Sequence, residues 1–224
     1  DKCYENVGKI VSYKENDRLG GVDPYSASKS SAELTIRAYR ESFFKDSNQA
    51  ISSVRAGNVI GGGDWSKNRL IPDVIRSLLK RKKIIIRNPN FNRPWQHVLE
   101  PLYGYLVLGQ KLYIKPKNFS GAWNFGTKKN TITTVLQIVK KIVEFWGKGK
   151  IFVKKNVKYY EQENLQLNIE KASTVLKWKP NWSIKKSINK TVEWYKEFLV
   201  NRKNAEEITK KQIIDYINDI KKKN

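Results

Sequence analysis

Apolar stripes at helical spacing, separated by short apolar runs, constrain this chain more than any other feature of its sequence. Ala32, Ile36, Tyr39 and Phe43 form one stripe; Ile71, Val74, Ile75, Leu78 and Leu79 a second; Val135, Val139, Ile142, Val143 and Trp146 a third. Ile184, Ile188, Val192 and Tyr195 make a fourth. Recurrence at three and four residues predicts helices with one buried face. Between them residues 50–54, 84–86, 122–125 and 151–153 read as short strands. Strands alternating with helices of this length predict an α/β fold with a largely parallel sheet. A last helix is expected over 205–223, with Ile213, Ile217 and Ile220 on its apolar face.

With 224 residues, 39% hydrophobic and 12% aromatic, the chain can build one large or two small packed units. No internal repeat and no Gly/Ser- or Pro-rich linker interrupts it. No stretch approaches the roughly 18 to 20 apolar residues of a membrane helix, and a soluble, cytoplasmic, unexported protein is expected. The lone Cys3 excludes an intrachain disulfide framework, and one Cys with one His is too few for a zinc cage, so no metal is expected.

The formal net charge of +23 raises the possibility of a nucleic-acid-binding module. The cations are mostly Lys, scattered singly and in pairs apart from runs at 80–83 and 221–223, whereas base readers favour the bidentate fork of Arg. Lys, Ile and Asn together make about a third of the sequence, as a compositional coding bias would leave on a solvated surface. Neither nucleic acid nor membrane is therefore the expected partner. The positive field instead favours an anionic small molecule.

Chemistry concentrates near the start. Asp23 and Pro24 form a helix start, an acceptor at the N-cap followed by the proline favoured at the first helical position. Tyr25 and Lys29 then share one helix face four residues apart. A free phenol titrates near 10, and a neighbouring cation favours its phenolate, so such a pair can exchange a proton with a substrate hydroxyl. The spacing alone fits many surface pairs equally well.

The run DPYSASKSSAEL at 23–34 resembles the active-site helix of the extended short-chain dehydrogenase/reductase family. Four further strings, DKCYEN at 1–6, RAGNVIGGGDW at 55–65, RNPNFNRPWQHVLEPL at 87–102 and LNIEKASTVLKWKPNWSIKKSINKTVEWY at 167–195, are similar to the CDP-glucose 4,6-dehydratase branch of that family. The resemblance implies the C-terminal part of a Rossmann-type doubly wound parallel sheet plus a smaller α/β substrate-binding domain. Residues 1–57 would be the remainder of an NAD-binding Rossmann domain with the catalytic helix. Residues 58–224 would be mainly the nucleotide-sugar domain, with about 84–126 partly returning to the first.

The family's roles then fall on residues of this chain. Tyr25 is the expected acid/base at the hexose C4 hydroxyl, and Lys29 the ligand of the nicotinamide ribose; Tyr25, Lys29 and Arg55 are the expected NAD contacts. Asp1 is the expected acid and Lys2 the expected C5 base of a water elimination. Asn58, Arg69, Leu70, Pro72, Arg93 and Asn124 are expected at the nucleotide sugar. Unaided by the resemblance, Asn58 reads as a turn cap, Arg93 as a surface ion pair and His97 as a structural histidine. The family's GxxGxxG turn is absent, as is the Thr or Ser expected just before Asp1. The expectation is a dehydratase lacking about its first third, unable in this form to bind NAD tightly or turn over, and a homodimer or higher oligomer at full length. Residues 160–164 lack the His expected of this branch. A sugar-nucleotide epimerase of the same family is the alternative, since it keeps Tyr and Lys but performs no elimination.

Overall fold

The computed structural model of the protein describes residues 1–6, 12–128, 133–154 and 166–223, the side chain of residue 203 excepted. The segment 160–164 lies outside the described residues. In chain order the elements are β1 (Ser12–Tyr13), α1 (Pro24–Tyr39), β2 (Ser52–Ala56), β3 (Val59–Ile60), α2 (Leu70–Leu79), β4 (Ile84–Ile86), β5 (Asn92–Arg93) and β6 (Gln96–His97). There follow α3 (Leu99–Ile114), α4 (Pro116–Phe119), β7 (Gly121–Phe125), β8 (Thr133–Thr134), α5 (Val135–Trp146), β9 (Ile151–Val153), β10 (Gln166–Leu167), α6 (Glu170–Thr174), α7 (Ile184–Val200) and α8 (Ala205–Lys221). A single wide helical turn, Arg40–Phe44, continues α1.

The chain divides into two compact units, each assembled from separate stretches. The first comprises Asp1–Asn58, Glu100–Thr131 and Gln162–Pro180. Its centre is the parallel pair β2 and β7, in register from Ser52 opposite Gly121 to Ala56 opposite Phe125. Trp123 and Phe125 pack with Leu108, Phe119, Leu176 and Trp178 in one buried cluster. Gly104 of α3 makes that packing possible, because a Cβ there would fall 2.3 Å from a Phe125 ring carbon. A smaller cluster joins Cys3, Tyr4, Tyr13 and Leu167.

The second unit comprises Val59–Leu99, Ile132–Glu161 and Asn181–Asn224. Helices α2, α5 and α7 supply its core: Ile71, Val74, Ile75 and Leu78 from the first, Ile138, Val139 and Ile142 from the second, Ile188 and Val192 from the third. Full burial of each such side chain contributes about 1.5 to 3 kcal/mol. Thr134 and Gln137 form a reciprocal capping box at the start of α5, and Gly147 ends it in the left-handed region at φ +94°. Two parallel pairs, β3 with β6 and β4 with β9, complete the unit together with the antiparallel pair β5 and β8.

Several elements differ from the sequence expectation. The strand expected at 50–54 runs two residues later, because the Ile51 carbonyl accepts from Gly121 N and Ser120 Oγ at the edge of the pairing. On α1 the buried residues are Ser26 and Ser30, while Tyr39 and Phe43 of the expected stripe are exposed. Helix α8 packs through Ile208, Gln212 and Tyr216 rather than through the isoleucine stripe. The Tyr216 ring meets Trp182 edge-on at 5.0 Å, and Gln212 donates to the Lys190 carbonyl at 2.7 Å. Asp215 and Asp219, held by Lys190 and Lys186, lie on the same side of the helix as Gln212 and Tyr216, so this face and not the isoleucine face meets α7. Among the described residues no helix is long and apolar enough to cross a membrane, and no group of His, Cys, Asp and Glu could hold a metal ion.

Candidate active site

The Tyr25 helix begins as its sequence demands. Asp23 Oδ1 accepts from the backbone nitrogens of Tyr25 and Ser26, each at 3.0 Å, and Oδ2 accepts from Ser26 Oγ at 2.6 Å. Those bonds, led by the Ser26 hydroxyl, hold the Asp23 carboxyl below its ordinary value. Tyr25 is 61% exposed, and Lys29 Nζ stands 5.4 Å from the centroid of its ring. Among the described residues no ion pair claims Lys29.

The segment bearing Asp1 and Lys2 is bonded to this helix and to its neighbours. Ser30 Oγ donates to the Cys3 carbonyl at 2.9 Å, and Gly20 N donates to the same carbonyl at 3.0 Å. Glu5 N donates to the Arg18 carbonyl at 2.9 Å. The Asp1 nitrogen donates to the Ala56 carbonyl at the end of β2, at 3.0 Å. Asp1 and Lys2 themselves are half-buried.

Beneath these groups lies a polar network that sequence reasoning missed. Arg55, only 6% exposed, donates from Nη1 to the Tyr4 hydroxyl at 2.7 Å and to the Glu15 carbonyl at 2.9 Å, and from Nη2 to Glu33 Oε2 at 2.7 Å. The Tyr4 hydroxyl donates to Asn124 Oδ1 at 2.7 Å, and Asn124 Nδ2 donates to the Tyr13 carbonyl at 2.9 Å. Burial raises the Tyr4 phenol well above its ordinary value although the Arg55 cation opposes it. For Arg55 burial acts downward, but the bonds to Glu33 and Tyr4 prevail and its value is raised. Arg55 through Nη1 and Nη2, and Asn124 through its amide, expected at the cofactor and the substrate, are thus bonded within this unit. A buried arginine requires a carboxylate, and Glu33, one helical turn beyond Lys29, supplies it, but the sequence does not show that Arg55 is buried. Asn58, at the end of the unit's first stretch, is half-buried.

The remaining expected residues belong to the second unit. Arg69 is exposed at the N-cap of α2, 3.4 Å from Asp64, followed by half-buried Leu70 and buried Pro72. Arg93 is buried in β5 and donates to the Asn92 carbonyl at 2.9 Å, with its guanidinium 5.7 Å from the Phe91 ring centroid.

The motif strings interlock. A Cβ on Gly62 would fall 2.0 Å from Trp194 Cγ, Tyr195 donates to the Asp64 carbonyl at 2.5 Å, and Trp65 meets the Tyr195 ring edge-on at 5.1 Å. GGGDW therefore seats the VEWY turn of α7, a packing role for glycines whose composition could equally serve a phosphate. Val98 N donates to the Ile60 carbonyl at 2.8 Å beside the β3 and β6 pairing, which joins GNVI to QHV. His97 is buried with its ring edge-on to Trp182 at 4.9 Å; Nδ1 accepts from Leu99 N, and Nε2 has no hydrogen-bond partner among the described residues. Burial, then the Lys190 cation, drives it down to about 3, so it is a neutral core residue.

A parallel α/β fold and a Tyr–Lys pair on a capped helix agree with the class of short-chain dehydrogenases and their relatives. A sequence profile described as GDP-mannose 4,6 dehydratase matches residues 1–191, and the chain belongs to that family. It is 44% identical over 223 residues to the CDP-glucose 4,6-dehydratase of Salmonella typhimurium, covering 97% of this chain and 62% of that protein. It is 26% identical over 208 residues to the dTDP-D-glucose 4,6-dehydratase of Bos taurus, covering 87% and 53%. The chain thus spans less than two thirds of the length of these relatives. Among solved structures, the dTDP-glucose 4,6-dehydratase of Bacillus anthracis, in complex with NAD, superposes with a TM-score of 0.71 at 22% identity over 92% of this chain and 62% of the other. The UDP-N-acetylglucosamine 4-epimerase of Methanobrevibacter ruminantium gives 0.73 at 18% identity over 88% and 60%. The Rossmann-type α/β expectation is borne out by these folds.

Proposed function

We propose that the protein carrying this chain is a CDP-glucose 4,6-dehydratase, an NAD-dependent hydro-lyase that forms CDP-4-keto-6-deoxyglucose. The observation that carries this reading is the bonding of the Asp1–Lys2 segment onto the helix of Tyr25 and Lys29, through Ser30 Oγ and the Cys3 carbonyl. Redox and elimination groups thereby share one small scaffold. Epimerases have the same fold, so the fold does not separate the two activities; the Asp1–Lys2 pair and the similarity to the Salmonella enzyme favour dehydration.

The exposed face of Tyr25 and Lys29 fits a nicotinamide ribose, because among the described residues no ion pair claims Lys29 and the intervening Ser26, Ala27 and Ser28 are small. NAD, when bound, supplies the acceptor for a hydride from hexose C4 and its donor at C6. Tyr25 takes the proton of the C4 hydroxyl and Lys29 holds the ribose hydroxyls. Once C4 is a ketone the C5 hydrogen is acidic; Lys2 removes it as Asp1 protonates the departing C6 hydroxyl, and water leaves. Asn58, Arg69, Leu70, Pro72 and Arg93 hold the nucleotide diphosphate and sugar, with Arg93 suited to bidentate phosphate contact. Asn124 serves the site by holding Tyr4. A cytoplasmic setting and a homodimeric or higher assembly complete the reading, on the strength of the family resemblance.

The test uses CDP-glucose deuterated at C4 and the full-length product of the reading frame containing this chain. Label recovered at C6 of a 4-keto-6-deoxy product supports the proposal. Recovery of a C4-epimerised hexose, or a deoxy product without label at C6, overturns it.

A further inference from the structure

We infer that Arg55 is a positioning residue that sets the spacing between the elimination pair and the redox pair. The inference rests on the catalytic reading of Asp1, Lys2, Tyr25 and Lys29 given above. Tyr4 lies two residues after Lys2, and Glu33 one turn after Lys29 and two after Tyr25. The two arms of one guanidinium hold both, each at 2.7 Å. A guanidinium is planar and its arms keep a fixed separation, so bonding both partners locks one segment to the other.

Each partner is itself oriented. Tyr4 accepts from Arg55 and donates to Asn124, which fixes the phenol's rotation. Glu33 Oε2 also accepts from Ser53 Oγ at 2.8 Å, which ties it to the strand that bears Arg55. The Arg55 and Glu33 side chains are only 5% and 11% exposed, so water competes little for the pair. The Ser30 bond to the Cys3 carbonyl is independent of the guanidinium. Weakening the brace should therefore shift the two segments against each other without detaching them.

The experiment compares Tyr4→Phe and Arg55→Lys with the wild type in the full-length protein. Tyr4→Phe removes the link to the first segment and leaves the Arg55 pair with Glu33; Arg55→Lys keeps a charge for Glu33 but loses the fork. Both should lower kcat roughly ten- to a hundredfold, the scale of a catalytic group displaced by about 1 Å, with KM within about twofold. Adding Glu33→Gln to Tyr4→Phe should cost less than the product of the two single effects, because one brace is already broken. Amide exchange should quicken in both 1–6 and α1. Unchanged kcat with faster exchange would make Arg55 merely structural and overturn the inference, as would multiplicative effects of the two substitutions. If the wild type does not dehydrate CDP-glucose, the functional reading fails instead. The exchange arm then tests the mechanical brace alone, apart from any catalytic effect: loosening of one segment without the other overturns it.

Discussion

Trp194 occupies the space that a side chain at position 62 would need: a Cβ on Gly62 would lie 2.0 Å from the indole Cγ. The glycine here is required by close approach and not by backbone conformation. Gly62→Ala should destabilise the protein by about 1 to 3 kcal/mol through overpacking. The urea midpoint should fall with an unchanged slope. A midpoint equal to wild type would mean that the loop and α7 separate freely.

Tyr25 is largely exposed, so its hydroxyl can be removed at little structural expense. Tyr25→Phe should leave the melting temperature within about a degree, while activity of the full-length enzyme falls by roughly a hundredfold or more, the range for loss of a positioned acid/base. Activity near wild type would remove Tyr25 from the proposed chemistry.

His97 is the chain's only histidine, which makes its titration readable. Unfolded, a histidine binds a proton below about 6.5. Folded, burial holds it down to about 3. Between those values the unfolded state carries the extra proton, so stability falls as pH falls. The slope is at most about 1.4 kcal/mol per pH unit. His97→Gln should flatten that slope between pH 6.5 and 5. In the wild type the ring's NMR shifts should stay constant from pH 7 to 4.5, and a midpoint near 6 would refute the buried neutral state.

Asp219 joins α8 to the start of α7 and the preceding Trp182 by accepting from Lys186 Nζ at 2.5 Å and Trp182 Nε1 at 2.7 Å. The bond from Lys186 is the main cause that holds its carboxyl below the ordinary value. The contribution to stability is therefore present above about pH 4 and lost as pH falls through the lowered value. Asp219→Asn should cost about 1 kcal/mol or less, shrinking in high salt, because the group is partly exposed. A larger, salt-insensitive loss would show that the indole bond dominates the ion pair.

Legibility in the sequence followed the physics of each element. Helices α2, α5 and α7 are long and bury one apolar stripe, so periodicity reveals them. Helix α3 escapes because its buried residues Glu100, Pro101, Gly104 and Leu108 include few apolar ones, while Leu102 and Leu106 are exposed. Strands of two residues, such as β3 and β6, are too short for alternation to register. The Tyr–Lys pair could be singled out as a candidate because its spacing is local and the surrounding string, DPYSASKSSAEL, resembles a known active-site helix. The Arg55 network was not, because Tyr4 and Asn124 are 120 positions apart and only the fold joins them.

The interleaving of the two units has a consequence for how the chain becomes folded. Three stretches of each unit alternate along the sequence, so the chain passes between units five times. During synthesis β2 must wait for β7, some 65 residues later, before it gains its parallel neighbour. The first unit receives its final stretch, with Trp178, only after two stretches of the second unit have emerged. Non-local pairing of this kind folds slowly and leaves strand edges uncovered in the interim. Aggregation during expression should therefore respond to lower temperature and chaperones more than to substitutions that strengthen the finished fold.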